Sequence, residues 1–122
     1  MKIYTSCFFD KQRYKDMVPV SIALYSPKGF NGCRISKLAP TEDILNEYRR
    51  GRDEELYTKR YKEEILAKIN CANAIANLTE YVESRFPNKD VVFLCYEKKG
   101  DFCHRHLVAD WLKENGYECT EL

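Results

Sequence analysis

The chain has 122 residues, which is the length of one domain, so the sequence predicts a single domain over residues 1–122. Its composition of 44% hydrophobic and 32% charged residues excludes a disordered chain. The net charge of +1 disfavours duplex nucleic acid as the main partner, because such binding usually needs a basic excess. No apolar run approaches the ~20 residues of a membrane span, and the start lacks a signal-peptide pattern. We therefore expect a cytoplasmic protein without a membrane partner.

The first third of the chain is predicted to contain two strands. Residues 2–6 alternate in a β-prone pattern, and residues 18–25 form a second strand-like run with Pro19 near its start. The connection between these strands has room for one helical turn. Proline and glycine then predict a loop over residues 26–32.

The middle of the chain is charged and helical. Thr41, with acidic residues after it, predicts a helix N-terminus, and that helix should end near residue 51. Apolar residues at helical spacing predict a second helix over residues 53–69, which Asn70 breaks or bends. A further amphipathic stripe covers residues 75–86.

Residues 34–62 form a charged helical insertion within the domain. It contains two segments that combine arginine and tyrosine, Tyr48-Arg-Arg-Gly-Arg-Asp and Tyr57-Thr-Lys-Arg-Tyr. One interpretation is a solvated helical pair. The other is a lid that closes a basic, tyrosine-bearing surface over a nucleotide.

The clearest strand covers residues 90–96, whose apolar run is typical of a central parallel strand. A helix over residues 103–114 and a short strand over residues 117–122 follow. Strands that alternate with helices predict an α/β fold, a three-layer, mainly parallel, Rossmann-like sheet with helices on both faces.

Ligands of such sheets collect beyond the carboxyl ends of the strands. This rule is expected to bring together three segments, residues 5–7, 26–33 and 97–105. Cysteines are present at six positions, and for an intracellular chain of this size free thiols are the expected state. Cys95, inside its apolar run, is expected to be part of the core.

Cys103, His104 and Arg105 are the strongest candidates for a functional site. They open the last helix, where unpaired amides and the helix dipole favour an anion such as a phosphate. Arg105 can donate two hydrogen bonds to that anion, and His104 can carry a proton near neutral pH. The competing interpretation is structural, with Cys103 as a buried cap and Arg105 paired with Asp101 or Asp110.

Four further residues join the ligand-binding set. Lys28 and Arg34, after the second strand, are placed to contact the anion from the other side, although loops carry charge routinely. Ser6 stands at a strand end. Glu97 can bind a sugar hydroxyl or base amine, or act as a general acid–base.

Metal and thiol chemistry provide two alternatives. Zinc would suit a cluster of Cys7, Cys33, Cys103 and His104, but no Cys-x-x-Cys pair exists, so we expect no metal and no cofactor. Cys103 as a nucleophile assisted by His104 is the thiol alternative. The phosphatase arrangement, with arginine six residues after the cysteine, is excluded because Ala109 occupies that position.

Several segments together resemble the domain of unknown function 488 family. They are Met1-Lys-Ile-Tyr-Thr-Ser6, Leu38-Ala-Pro40, Leu94-Cys-Tyr-Glu-Lys98, Cys103-His-Arg-His106 and Trp111-Leu112. The resemblance covers most of the chain and implies a Rossmann-like sheet without a settled activity. It points to Glu97, Cys103, His104 and Arg105 as the positions that match the family motif, and it leaves Cys7 and Cys33 outside.

These patterns predict that the protein binds a small phosphorylated ligand, a nucleotide or a nucleotide-derived signal, at the carboxyl edge of the sheet. The first alternative is an enzyme that acts on a nucleotide or nucleic-acid-derived substrate, with Glu97, Cys103 or His104 as catalytic residues. The second is an oligomeric protein-interaction module, in which tyrosine-rich helices form the interface between copies of the chain.

Overall fold

The computed structural model describes residues 1–122 and contains one sheet of five parallel strands. The strand order across the sheet is β3-β2-β4-β1-β5. The strands are β1 (Ile3–Cys7), β2 (Val18–Ser21), β3 (Cys33–Arg34), β4 (Val91–Cys95) and β5 (Cys119–Glu121). Because parallel strands need crossover connections, the helices cover the sheet, and the predicted three-layer Rossmann-like α/β fold is confirmed.

Four α-helices and three single turns of 3₁₀-helix connect the strands. The helices are α1 (Glu42–Gly51), α2 (Glu54–Glu64), α3 (Cys71–Arg85) and α4 (His104–Glu114). The 3₁₀ turns are Lys11–Arg13, Ser36–Leu38 and Leu66–Lys68. None of the helices has the combination of length and apolarity that crossing a membrane requires.

Helix ends follow local capping chemistry. The Thr41 hydroxyl accepts a hydrogen bond from the Ile44 amide at 3.2 Å, and the Asn70 side chain accepts one from the Asn73 amide at 3.0 Å. Gly116, with φ of +88°, follows the last residues of α4 in the conformation that glycine adopts most easily. Helix α1 begins at Glu42 and α4 at His104, each within one residue of its predicted start.

The predicted helix over residues 53–69 was too long. Helix α2 ends at Glu64, and a 3₁₀ turn over Leu66–Lys68 leads to Asn70, which begins the next helix. Ile65 and Leu66 are both buried, so the chain turns where its apolar side chains meet the core. A continuous apolar stripe could not distinguish this turn from one more turn of α-helix.

Strand β4 lies at the centre of the sheet, and all five of its residues are buried. It pairs with β1 on one side and β2 on the other, so that Val91 lies opposite both Ile3 and Val18. This position explains the continuous apolar run, because neither face of the strand meets solvent.

Two further differences concern β2 and its neighbour at the sheet edge, β3. Strand β2 ends at Ser21 instead of residue 25, since the chain leaves the sheet there and residues 23–25 form one wall of a cavity. Strand β3 was not predicted. It has only two residues, Cys33 and Arg34, and so few residues leave no recognisable periodicity.

Candidate functional site

A cavity of about 120 Å³ lies beyond the carboxyl end of β4. Its walls come from the loop after β2, from α1 and α2, and from residues 95–97 and 102–104, which join β4 to α4. Ten of its 14 lining residues are hydrophobic, so the interior suits an apolar ring better than a bare ion. We call it the carboxyl-edge cavity.

Three aromatic side chains form one side of the carboxyl-edge cavity. The Phe102 ring stacks on Tyr48 with centroids 5.3 Å apart, and it meets Tyr57 edge-on at 5.2 Å. Tyr48 and Tyr57 also contact each other edge-on at 5.4 Å. Such pairs hold each other in fixed orientations, so they present a preformed aromatic surface.

Helices α1 and α2 are joined by Arg60 as well as by these rings. The Arg60 guanidinium forms salt bridges with Asp43 and Glu47 of α1 and with Glu64 of α2, at 2.7–3.0 Å. In addition, the buried Tyr61 hydroxyl donates to the Leu38 carbonyl at 2.7 Å. The charged insertion is thus a packed wall of the cavity in this structure, and its motion as a lid stays a prediction.

The floor of the carboxyl-edge cavity is a disulfide between Cys95 and Cys103. The expectation of free thiols was therefore wrong for these two cysteines. Cys95 is part of the core, as predicted, and also forms the disulfide. The loop after β4 returns the chain to the same sheet edge within eight residues, which brings the two sulfurs together. The remaining cysteines are free: Cys7, Cys33, Cys71 and Cys119.

His104 is buried beside the disulfide. Its Nε2 lies 2.7 Å from the Ile22 carbonyl, which can only accept, so Nε2 carries the proton and Nδ1 has a free lone pair. That Nδ1 lies 3.8 Å from Cys103 Sγ. Burial lowers the pKa of His104 to about 4, although the hydrogen bond to Ile22 opposes the shift. The imidazole is therefore neutral at neutral pH.

Arg105 is fully buried, and its hydrogen bonds are made within the protein. Its Nε and Nη2 donate to the two carboxylate oxygens of Glu121, at 3.0 and 2.9 Å. Its Nη1 donates to the Glu97 carbonyl at 2.7 Å and lies 3.3 Å from Cys95 Sγ. Arg105 thus ties the end of β4 to β5 and positions the loop that carries Glu97.

Glu121, and not Asp101 or Asp110, is the partner of Arg105, and the sequence reasoning missed it. It also accepts a hydrogen bond from the Thr5 hydroxyl at 2.6 Å, because β1 and β5 pair with Thr5 opposite Glu121. Burial alone would raise the pKa of Glu121, but the hydrogen bonds from Arg105 and Thr5 outweigh it and lower the pKa. The contact between Arg105 and Glu121 can be recognised only once β5 is known to pair with β1.

The other predicted site residues lie in different places. Glu97 is exposed and lines the carboxyl-edge cavity, whereas Ser6 is buried within β1. Arg34 is exposed and donates to the Leu24 carbonyl. Lys28 lines a separate, wider hollow of about 590 Å³. The structure therefore unites Glu97 with the Cys103–Arg105 segment and leaves Lys28 outside the cavity.

The sequence-based zinc cluster does not form around the predicted residues. Cys33 instead has its sulfur 3.2 Å from the Tyr81 hydroxyl, and Cys7 has its sulfur 3.2 Å from the Tyr96 carbonyl. The residues whose potential ligand atoms do converge, within 4.8 Å of one another, are Cys95, Cys103 and His104.

Comparison with known proteins identifies the family of the chain. A family model described as the active DUF488-N3 subclade matches residues 3–116, nearly the whole chain. No curated protein and no solved structure matches the chain significantly. The match includes every strand but β5 and all four helices, together with the disulfide and its neighbours. The chain therefore belongs to the domain of unknown function 488 family.

Proposed function

We propose that the protein binds a nucleotide or a nucleotide-derived phosphorylated ligand, with the base in the carboxyl-edge cavity and the phosphate at its mouth. The observation that supports this proposal most is the aromatic surface of Tyr48, Tyr57 and Phe102 beyond the carboxyl ends of parallel strands. A cavity of about 120 Å³ suits one ring system and not a whole nucleotide. The sugar and phosphate would therefore stay near the surface.

Arg49, and not the sequence-predicted Arg105, is the residue that would bind the phosphate. Arg105 is fully buried and neutralised by Glu121, so a ligand would have to displace an internal ion pair to reach it. Arg49 lines the cavity and is exposed, and its side-chain hydrogen bond is a long one of 3.4 Å to Asn46. A guanidinium in this position can donate two hydrogen bonds to a phosphate.

Glu97 supplies the complementary polar group. Its carboxylate is at the cavity wall, and the hydrogen bond from Arg105 to its carbonyl fixes the backbone that carries it. An exposed carboxylate accepts hydrogen bonds from a sugar hydroxyl or from an amine on a base. We place this binding in the cytoplasm, because free thiols at four of the six cysteines fit a reducing compartment.

The first experiment is native mass spectrometry of gently desalted protein, followed by titration calorimetry with a panel of nucleosides and their 5′-monophosphates. Arg49→Ala is expected to weaken monophosphate binding about tenfold or more, since a hydrogen bond to a charged group contributes about 1.5–3 kcal/mol. The same variant should leave nucleoside binding nearly unchanged. Arg50→Ala, on the same helix but outside the cavity, is the matched control and should bind like the wild type.

The aromatic part of the proposal has its own test. Phe102→Leu keeps an apolar side chain but removes the stacking face, and it should weaken nucleoside and monophosphate equally, by about 1–3 kcal/mol. If no compound in the panel binds, or if Arg49→Ala and Arg50→Ala weaken monophosphate binding equally, this assignment of the cavity is wrong.

A second candidate function is an enzyme that acts on the bound nucleotide. The observation that favours it is the position of Glu97 in the wall of a mainly apolar cavity, where a general acid–base would contact the ligand. Glu97→Gln would then keep ligand affinity within a few-fold and abolish turnover. Equal turnover in this variant and the wild type would exclude Glu97 as the acid–base.

A further inference from the structure

The two sulfurs on the cavity floor each have a polar neighbour of their own. Nη1 of Arg105 lies 3.3 Å from Cys95 Sγ, and Nδ1 of His104 lies 3.8 Å from Cys103 Sγ. Both cysteines also line the carboxyl-edge cavity, although each is almost fully buried. The disulfide therefore borders that cavity and has two neighbours that can interact with separate thiols.

These neighbours suit the reduced state better than the oxidised one. A guanidinium that donates to Cys95 stabilises its thiolate, whereas a disulfide sulfur is a poor acceptor. Cys103 occupies the N-cap of the 11-residue helix α4 and makes no side-chain cap hydrogen bond. Once released, its sulfur can take up that position, where the helix dipole favours negative charge. The unprotonated Nδ1 of His104 can accept a hydrogen bond from the Cys103 thiol.

We propose that Cys95 and Cys103 form a redox-active pair that exchanges between disulfide and dithiol with small thiol compounds entering the carboxyl-edge cavity. Four other cysteines are free, so disulfides are not the general means by which this chain is stabilised. In a reducing compartment, an isolated disulfide is usually transient and takes part in catalysis or redox sensing. This inference does not depend on the proposed nucleotide binding.

The exchange proceeds in two balanced steps. A small thiol, as its thiolate, attacks Cys103 Sγ; the protein S–S bond breaks, and its electron pair passes to Cys95, whose thiolate Arg105 stabilises. A second small thiol then attacks the mixed disulfide and releases Cys103. Two small thiols are oxidised to one small disulfide, the protein disulfide is reduced to two thiols, and the two protons pass to the cysteines or to water.

The test is a redox titration of the full-length, folded protein in graded mixtures of reduced and oxidised glutathione. Samples are quenched in acid, alkylated, and analysed by peptide mass spectrometry at each cysteine. We expect Cys95 and Cys103 to change together from disulfide to dithiol without denaturant. Cys95→Ser, which removes the leaving sulfur, should accumulate glutathione on Cys103. Cys33→Ser, which removes a partly exposed thiol elsewhere, is the control and should titrate like the wild type.

Two results would overturn the proposal. In the first, the bond withstands both reduced glutathione and the smaller 2-mercaptoethanol until denaturant is added, which would identify a permanent crosslink. In the second, the purified protein contains both thiols and one zinc ion that protects them from alkylation until a chelator is added. That result would assign Cys95, Cys103 and His104 to a metal site. If Cys95→Ser does not fold, the wild-type titration decides, because it needs no variant.

Discussion

The buried imidazole of His104 makes the stability of the fold depend on pH in a way that a single variant can isolate. Its pKa falls from an ordinary value near 6.5 to about 4 in the folded protein, mainly because of burial. The unfolded chain therefore binds a proton at this residue before the folded chain does. Stability is complete above about pH 6.5 and decreases as the pH falls towards 4.

The size of this effect follows from the same two values. Each pKa difference of one corresponds to about 1.4 kcal/mol, so the fall from 6.5 to about 4 is worth about 3 kcal/mol at its limit. His104→Gln provides the comparison, because a glutamine amide can donate to the Ile22 carbonyl but does not titrate. Between pH 7 and pH 4, the wild type should lose about 3 kcal/mol more than this variant.

The measurement is urea unfolding at a series of pH values. Far-ultraviolet circular dichroism and the fluorescence of Trp111, the single tryptophan, report the unfolded fraction. His106→Gln changes the same residue type two positions further on and keeps His104, so it should retain the additional loss in acid. If the wild type and His104→Gln lose stability in parallel, then folding does not lower the pKa of His104, and its burial does not keep the imidazole neutral in acid.

Three further variants or treatments test the surroundings of the site. Glu121→Ala should destabilise the fold by about 3 kcal/mol, because it leaves the buried guanidinium of Arg105 without its carboxylate. Tyr61→Phe should cost about 1 kcal/mol in urea unfolding, since it removes the buried hydrogen bond to the Leu38 carbonyl. Reduction of the disulfide should lower the unfolding free energy by at most about 2.5 kcal/mol, the loop-closure value for a separation of eight residues, because Arg105 and His104 stabilise the released thiols in part.

Each of these changes has a control. Glu118→Ala removes an exposed carboxylate from the same end of the chain and should alter stability by less than about 0.5 kcal/mol. Tyr117→Phe removes a hydroxyl that makes no hydrogen bond within the protein and should be similarly mild. For the disulfide, Cys33→Ser should show the same response to reductant as the wild type. If a variant and its control lose the same unfolding free energy, then the corresponding contact does not stabilise the fold as described.

The sequence predicted the features that depend on local or repeating patterns. The buried run at the centre of the sheet, the Thr41 cap and the alternation of strands and helices all follow from chemistry within one segment. The carboxyl-edge rule also located Glu97, Cys103 and His104 at one cavity. Each of these inferences needed only the type of element and its direction in the sheet.

The missed features depend on pairing between distant segments. The sequence predicts that Arg105 binds an anion because it lies in the first turn of the last helix, and the only acidic partners that it suggests are the nearby Asp101 and Asp110. Its partner, Glu121, becomes adjacent only when β5 is placed next to β1. The disulfide was missed for a related reason, since the spacing of Cys95 and Cys103 has no standard meaning until the path of the loop is known.

The position of β1 in the sheet has a consequence for how the chain folds during its synthesis. Both neighbours of β1, strands β4 and β5, are encoded in the last third of the chain. A ribosome that has released the first 86 residues has produced α1, α2 and α3, but no partner for the edges of β1. The first strand therefore has no partner on either edge until the segment with β4 and β5 emerges and the sheet closes around β4.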